Sequence, residues 1–171
     1  MPSAVPELPI VPADTRALRR GARALLVRVF ERDPMWRRLV RWAWARTLVL
    51  RYYYGRAVRV AHAEGRIDVV PDASGRLLAA AVWFIPSAGA EDTRTWHLEA
   101  VVVDENARGK SLGSRLLRHA LEAIDAEGAA ATLDASTPDS QRLYQRYDFH
   151  PIGPVPVQPW ARDLKMRREP R

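Results

Sequence analysis

The sequence predicts a mixed α/β (α+β) fold in which helices flank one central sheet. Apolar residues recur at helical spacing over about residues 14–63, and the apolar pattern changes to that of strands after Gly65. Two further helical stretches then lie between later strands. Because a helix between two strands is the usual connection of parallel neighbours, we expect parallel crossovers in an otherwise mixed sheet.

The N-terminal part is predicted to contain two long helices. Residues 1–12 are rich in proline and form an extended or disordered lead-in, and residues 13–168 form a single domain. The first helix begins near Asp14, a good N-cap, and Asp33-Pro34 ends it. The second helix spans about residues 35–63, with Gly55 as its candidate point of interruption.

The second helix is amphipathic and rich in arginine. Six arginines lie opposite its apolar stripe, at positions 37, 38, 41, 51, 56 and 59. The stripe consists of Trp36, Leu39, Ala43, Leu50, Tyr54, Ala57 and Ala61. Residues 16–66 hold 14 arginines against three acidic residues, although the whole chain has a net charge of only +7. Two interpretations remain open, a solvated helix face and a surface that binds polyanions.

The remaining elements follow from strand-like and helical runs after Gly65. Strands are predicted at 67–70, 77–85, 96–103, 131–135, 149–157 and 161–166, and helices at 111–127 and 138–147. Gly128 is a natural end for the first of these helices, and Pro138 suits the first turn of the second. The apolar run at 77–85 is typical of a strand buried on both faces.

Composition excludes several classes of function. The chain has no cysteine, which excludes disulfides, thiolate metal sites and a cysteine nucleophile. No apolar run approaches the roughly 18 residues of a membrane span, and the N-terminus lacks the pattern of a signal peptide. We therefore expect a cytoplasmic protein with no membrane partner and no metal site.

Residues 107–118, ARGKSLGSRLLR, place a basic, glycine-containing turn between a buried strand and a helix. Basic residues crowd the start of this helix and acidic residues its end, the reverse of what the helix dipole favours. An anion bound at the helix start would neutralise that charge, and this geometry is typical of phosphate sites. The alternative is a basic surface turn. The turn is neither a Walker A loop nor GxGxxG.

Two segments resemble the GNAT (GCN-five-related N-acetyltransferase) superfamily. WHLEAVVVDENARGKSLGSRLL is similar to its central strand, acyl-CoA turn and following helix, with matches at Arg108 and Gly113 and a departure at Ser111, where glycine is usual. TLDASTPDSQRLYQRYDF is similar to a later strand and helix, with Asp148 in place of glycine. Asp tolerates a left-handed helix end. The layout is also loosely similar to puromycin-type antibiotic acetyltransferases.

This resemblance implies a mostly antiparallel sheet with a V-shaped splay between two central parallel strands. It implies acetyl-CoA as cosubstrate and direct transfer of the acetyl group to a primary amine in a ternary complex. By analogy, Val101, Val102 and Val103 bind the pantetheine arm. The pyrophosphate turn comprises Arg108, Gly109, Lys110, Ser111, Leu112, Gly113 and Ser114. Ser140 stands where a cofactor-binding Asn is frequent.

The candidate catalytic residues are Tyr144, His97 and Glu99. Tyr144 matches the family tyrosine that protonates the departing thiolate; the alternative is a packing role. Alternation along the strand predicts that residues 97, 99, 101 and 103 share one face, which would place His97 and Glu99 together as base. The alternative is a pair that only forms hydrogen bonds in a cleft. Tyr147 is interpreted as a core residue.

The acceptor is expected to be a small-molecule amine. The candidate lining is aromatic and comprises Trp36, Trp42, Trp44, Tyr52, Tyr53, Tyr54 and Trp160. The alternative, which the apolar stripe favours, is that most of these rings belong to the core. A protein amine is the alternative acceptor, and a non-catalytic module that binds CoA or nucleic acid is the alternative function. Nucleic acid is not the expected partner, and a homodimer is implied only by analogy with the family.

Overall fold

The computed structural model describes residues 8–86, 95–154 and 164–171, and they form one mixed sheet covered by helices on both faces. The helices are α1 (Arg16–Phe30), α2 (Pro34–Leu39), α3 (Ala43–Glu64), α4 (Leu112–Ala126) and α5 (Pro138–Gln145). The strands are β1 (Val11–Pro12), β2 (Gly65–Pro71), β3 (Leu77–Phe84), β4 (Thr95–Val103), β5 (Ala130–Ala135), β6 (His150–Pro154) and β7 (Leu164–Arg168).

The sheet has the order β1-β2-β3-β4-β5-β7-β6, and β4 with β5 is its parallel pair. Every other neighbouring pair is antiparallel. The parallel ladder runs from Thr95↔Ala130 to Leu98↔Leu133, whereas β4 continues to Val103. The predicted mixed fold is therefore confirmed, and the splay is the gap that opens where β4 and β5 part.

Two apolar cores lie on the two faces of this sheet. One core packs β3, β4 and β5 against α4 and α5 and includes Trp83, Leu98 and Phe149. The other packs the sheet against α1 and α3 and includes Val82 and Ala100. The first face is called the α4 face below, and the second the α3 face.

A β-bulge at Glu99 changes which face each residue of β4 occupies. Val82 pairs with Ala100 and the next residue of β3 pairs with Leu98, so Glu99 is the extra residue. Leu98 lies in the core of the α4 face, but Ala100 lies in the core of the α3 face. Simple alternation would have placed both on the same side.

The prediction that residues 97, 99, 101 and 103 share one face is therefore wrong. Val101 and Val103 pack against the core of the α4 face. His97 pairs with Phe84 and contacts its ring on the α3 face, at 5.5 Å between centroids. The period of 2 assumes an unbroken ladder, and a bulge shifts it by one residue.

The N-terminal helices differ from the prediction at their ends. Thr15, and not Asp14, caps α1 through a hydrogen bond from the N–H of Leu18 at 3.1 Å. The second helical stretch breaks at residues 40–42 and continues through Gly55. A Cβ at Gly55 would lie 3.1 Å from the Arg23 guanidinium, so this glycine permits close helix packing rather than a break.

The break between α2 and α3 also explains the exceptions in the predicted stripe. Five of its residues are buried, but Leu39 and Ala43 are exposed because they flank the break. The six arginines predicted to lie opposite the stripe are all exposed. None of the described helices has the length and apolar character that crossing a bilayer requires.

Part of the predicted lead-in joins the sheet. Val11 pairs with Val69, and the N–H of Ala13 donates to the carbonyl oxygen of Ile67 at 2.8 Å. Most of the segment between the predicted strands at 77–85 and 96–103, the acceptor candidate Trp160 and the facing ends of the last two predicted strands lie outside the described residues.

Candidate functional site

A buried carboxylate anchors the chain where β4 leaves the sheet. Asp104 is 2% exposed and forms ion pairs with Arg28 at 2.6 Å and Arg76 at 3.0 Å. Its other oxygen accepts the N–H of Asn106 at 3.1 Å and caps a short 3-10 turn over Glu105–Ala107. Burial acts to raise the pKa of Asp104, but these hydrogen bonds and charges hold it below its usual range.

The turn before α4 offers a run of free backbone donors. Gly109 and Ser111 both have left-handed backbones, with φ of +77° and +54°. The N–H groups of residues 109–114 donate to no other residue that the structure describes. Arg108 and Lys110 are exposed beside them. Free donors at a helix N-terminus, with two cations beside them, suit a phosphate anion.

Neighbouring contacts hold the first turn of α4 in place. A Cβ at Gly113 would lie 3.4 Å from a methyl group of Val103, so the helix start lies close against the end of β4. The Tyr147 hydroxyl donates to the carbonyl oxygen of Ser114 at 3.2 Å. Tyr147 does pack against the core of the α4 face, as predicted, but its hydroxyl also ties the segment that follows α5 to the first turn of α4. A long-range side-chain contact of this kind leaves no signal in the sequence.

Ser140 has a structural task in this fold. It is the third residue of α5, and its side chain and that of Thr137 form a reciprocal capping box. Its Oγ accepts the N–H of Thr137 at 3.1 Å and donates to the Thr137 carbonyl at 2.8 Å. The hydroxyl is thus engaged locally, and its predicted contact with the cofactor remains a prediction.

His97 and Glu99 both lie on the α3 face near the end of the parallel ladder, and the charge of Asp134 acts on both. The Nδ1 atom of His97 is 3.1 Å from the Thr132 hydroxyl oxygen on β5. Burial lowers the pKa of His97, the charge of Asp134 opposes this shift, and the charge of Lys165 adds to it. The imidazole is therefore neutral near pH 7 and can accept a proton.

Glu99 has a partner that the sequence did not indicate. Burial raises the pKa of Glu99, a side-chain hydrogen bond with Tyr53 lowers it, and the charge of Asp134 raises it. The Tyr53 hydroxyl is itself kept protonated, because burial and the Glu99 carboxylate raise its pKa. Tyr53 also packs edge-on against Trp36, with ring centroids 5.5 Å apart.

Asp134 is a second residue that sequence reasoning missed. It is exposed and follows Leu133, the last residue of the parallel ladder. The sequence did offer a signal for it, because Asp134 is the one charged residue of the predicted strand ATLDA. Tyr53 was predicted only as one of several aromatic residues, since its contact with Glu99 depends on how α3 crosses the sheet.

Tyr144 lies on the opposite side of the sheet from His97 and Glu99. It is buried in the core of the α4 face, and its ring packs edge-on against Phe149 at 6.0 Å. Burial raises the pKa of Tyr144 to about 12, so the phenol keeps its proton at neutral pH. Asp148, next to Phe149, has a φ of +62°, which confirms the predicted left-handed helix end.

The gap between β4 and β5 thus has a turn with free backbone donors at the end of β4 and proton-carrying groups on both faces. Within the described ranges, no group of three or more His, Asp or Glu side chains is arranged to hold a metal ion. The arrangement suits a reaction that moves protons around a substrate lying in the gap.

Comparison with known proteins identifies this architecture. The family model described as "Acetyltransferase (GNAT) family" matches residues 26–149, and no curated protein matches significantly. A Corynebacterium glutamicum structure named "histone acetyltransferase HPA2 and related acetyltransferase" is 27% identical, with a TM-score of 0.77 over 96% of this chain and 97% of that one.

Two further structures were solved with coenzyme A species. The Escherichia coli GNAT family N-acetyltransferase YhbS in complex with CoA is 18% identical, with a TM-score of 0.62 over 98% of this chain and 84% of that one. A Brucella melitensis GNAT family acetyltransferase in complex with acetyl-CoA is 14% identical, with a TM-score of 0.64 over 95% and 88%. Because the family model spans well over half of the sequence, the chain belongs to the GNAT acetyltransferase family.

Proposed function

We propose that the protein transfers the acetyl group of acetyl-CoA to a primary amine of a small molecule, directly and in a ternary complex. The observation that carries this proposal is the gap between β4 and β5. The free N–H groups of residues 109–114 lie at the end of β4, and candidate proton acceptors and a donor flank the gap.

The turn and the open edge of β4 would bind the cosubstrate. The N–H groups of residues 109–114 would hold the pyrophosphate, and Arg108 and Lys110 would add charge. Beyond Leu98, no described strand pairs with β4 on the side of the gap, so backbone groups of Val101–Val103 remain for the amides of the pantetheine arm. The neighbours solved with CoA and acetyl-CoA support this assignment.

The groups on the α3 face would prepare the amine. An ammonium ion has no lone pair, so it must lose a proton before it attacks the thioester carbonyl. Glu99 is our first candidate for the base, directly or through water, because burial raises the pKa of its carboxyl. The neutral imidazole of His97 is the second candidate. The nearby Asp134 carboxylate would attract the ammonium form.

Tyr144 would complete the reaction from the α4 face. When the new C–N bond has formed, the C–S bond breaks and its electron pair leaves on sulfur. The Tyr144 hydroxyl, which is protonated at neutral pH, would donate its proton to that thiolate. The sheet then separates base from acid, with the thioester in the gap between them.

The lining of the α3 face favours an amine attached to an apolar or aromatic group. Tyr53 and Trp36 pack together there, and the carboxylate of Glu99 lies next to the Tyr53 hydroxyl. A protein amine is the second candidate acceptor, because the Corynebacterium glutamicum neighbour at 27% identity is named a histone acetyltransferase.

Two measurements test this proposal in order. Calorimetric titration with acetyl-CoA should show saturable 1:1 binding. Release of free thiol should then be followed with a panel of aryl-alkyl amines, an aminoacyl nucleoside and lysine peptides. Glu99→Gln should reduce turnover by about 100-fold or more, as expected for loss of a general base. Absence of acetyl-CoA binding, or full turnover by variants of both Glu99 and His97, would refute the proposal.

A further inference from the structure

A basic groove lies between α1 and α3, apart from the residues assigned to acetyl transfer. Its volume is about 430 Å³, and its walls are the first half of α1 and the second half of α3. The cationic residues that line it are Arg16, Arg19, Arg20, Arg23, Arg51 and Arg59. No acidic residue is among its described lining.

The charge of this groove is not neutralised by the described part of the protein. None of its six arginines forms an ion pair with a described acidic residue. Eight other arginines do form such pairs, at positions 28, 32, 66, 76, 142, 167, 168 and 171, whereas Arg37 and Arg38 of α2 are exposed and form none among the described residues. What distinguishes the groove is that six such cations line one concave surface with no acidic residue among them, and a cleft lined by one sign of charge attracts ions of the opposite sign.

Main-chain contacts hold part of the groove in a fixed shape. Arg23 donates to the carbonyl oxygen of Arg51 from Nε at 3.1 Å and from Nη2 at 2.7 Å, which links the two walls. Arg59 donates to the carbonyl oxygen of Gly55 at 3.3 Å. The guanidinium groups of Arg20 and Arg51 have no such bond among the described residues, so their donors remain available.

An exposed aromatic residue stands among these arginines. Tyr52 lines the groove and is 73% exposed, so core packing does not account for it. Its neighbour Tyr53 contacts Glu99 instead, so the two rings serve different surfaces. A positively charged groove with an aromatic ring for base stacking is the combination that binds single-stranded nucleic acid.

We propose that the groove between α1 and α3 binds single-stranded nucleic acid, with its arginines on the phosphates and Tyr52 stacked on a base. Binding would be sequence-tolerant, because every base offers a face for stacking. It would leave the acetyl-transfer site accessible, since the groove shares no lining residue with the turn at 108–114 or the cluster around Glu99.

The first test compares two double variants of equal charge. Arg20→Gln/Arg51→Gln removes one cation from each wall, and Arg37→Gln/Arg38→Gln removes two exposed cations of α2 outside the groove. Fluorescence anisotropy with a labelled oligouridine of roughly 12 nucleotides suits the known site sizes. We expect the groove variant to bind about tenfold more weakly and to lower the slope of log K against log salt by about 1.4. The α2 variant should bind within about twofold of the wild type.

The second test asks whether the ring of Tyr52 stacks on a base. Tyr52→Ala should weaken oligouridine binding by about fivefold or more, the lower end of the loss expected when one base stack is removed. Trp44→Ala, which removes another exposed ring outside the groove, should have no such effect. Acetyl-CoA titration and circular dichroism should show that all four variants remain folded.

Three results would overturn the inference. One is no binding of oligouridine at physiological salt. Another is that the groove and α2 double variants weaken oligouridine binding equally, which would indicate that the overall positive charge, and not the groove, binds the oligonucleotide. The third is that inorganic polyphosphate or phosphatidylserine vesicles bind at the groove while Tyr52→Ala has no effect on oligouridine.

Discussion

The left-handed backbone of Ser111 offers a quantitative test of the turn before α4. Ser111 has φ +54° and ψ +21°, and its side chain makes no capping hydrogen bond. An L-residue in this conformation costs about 1–2 kcal/mol, which glycine avoids. Glycine in turn destabilises the folded state by about 0.4–1 kcal/mol, because it raises the conformational entropy of the unfolded chain. Ser111→Gly should therefore stabilise the fold by about 0.5 kcal/mol.

Replacing Ser111 with a bulkier, β-branched residue should have the opposite effect and destabilise the protein. A β-branched residue is a genuine outlier in the left-handed region, so Ser111→Val should destabilise by about 1–2 kcal/mol. The free energies of unfolding of the two variants should then differ by about 2 kcal/mol, which corresponds to about 4–8 °C in Tm for a domain of this size. Thermal unfolding by calorimetry measures this difference, and titration with acetyl-CoA measures its effect on the turn.

Asp148 provides a matched control, because it is the other described non-glycine residue with a positive φ, at +62°. Asp148→Gly removes backbone strain but also removes the ion pair with Arg171, and it should leave acetyl-CoA affinity unchanged. Ser111→Val should weaken that affinity, because a β-branched residue would shift this left-handed backbone and move its free N–H donor. If Ser111→Val is as stable and binds acetyl-CoA as tightly as Ser111→Gly, the assignment of strain and donors to this turn is wrong.

Three further predictions concern proton transfer and stability. Tyr144→Phe should slow thiol release by about 100-fold while acetyl-CoA affinity stays nearly unchanged, since only the acid is lost. Tyr53→Phe removes the hydrogen bond that lowers the pKa of Glu99, so the acid limb of kcat/KM should move to higher pH. Asp125→Asn should destabilise by about 2–3 kcal/mol, because the Arg168 side chain is only 4% exposed and loses the carboxylate that it meets at 2.5 and 2.7 Å. The hydrogen bond from Arg168 lowers the pKa of Asp125, so this stabilisation is complete above the ordinary Asp pKa of about 3.9 and is lost as pH falls through the folded-state value.

Each of these predictions has its own control. Full activity of Tyr144→Phe would show that another group protonates the thiolate. Tyr52→Phe, at the exposed neighbour, should leave the pH profile as it is in the wild type. Arg168→Met should destabilise less than Asp125→Asn, because it removes the buried charge instead of isolating it. The reverse order would contradict our reading of this ion pair.

The sequence was sufficient for the parts of the fold that depend on local pattern. The spacing of apolar residues and the turn residues predicted the helices and strands from Gly65 onward. They also predicted that α4 ends at Gly128, which has a φ of +64°. The turn before α4 was predicted from its glycines and from the basic residues at the start of the following helix, where the helix dipole favours acidic ones. These features depend on residues a few positions apart, which is the range over which backbone preference and periodicity act.

The sequence misled where a local pattern had more than one structural solution. Gly55 reads as a helix break, but the structure keeps it helical so that Arg23 can pack against it. Asp14 and Thr15 are both residue types that cap helices, and in the structure it is Thr15 that makes the capping hydrogen bond.

The sequence by itself determined the elements, the family resemblance and the candidate residues His97, Glu99 and Tyr144. Only the tertiary structure decided which face each residue occupies, because the bulge at Glu99 shifts the alternation of β4. It also decided that Tyr53 meets Glu99 and that the arginines of the groove between α1 and α3 have no described acidic partner. These contacts join residues far apart in the chain, and their geometry depends on how helices pack across the sheet rather than on any local preference.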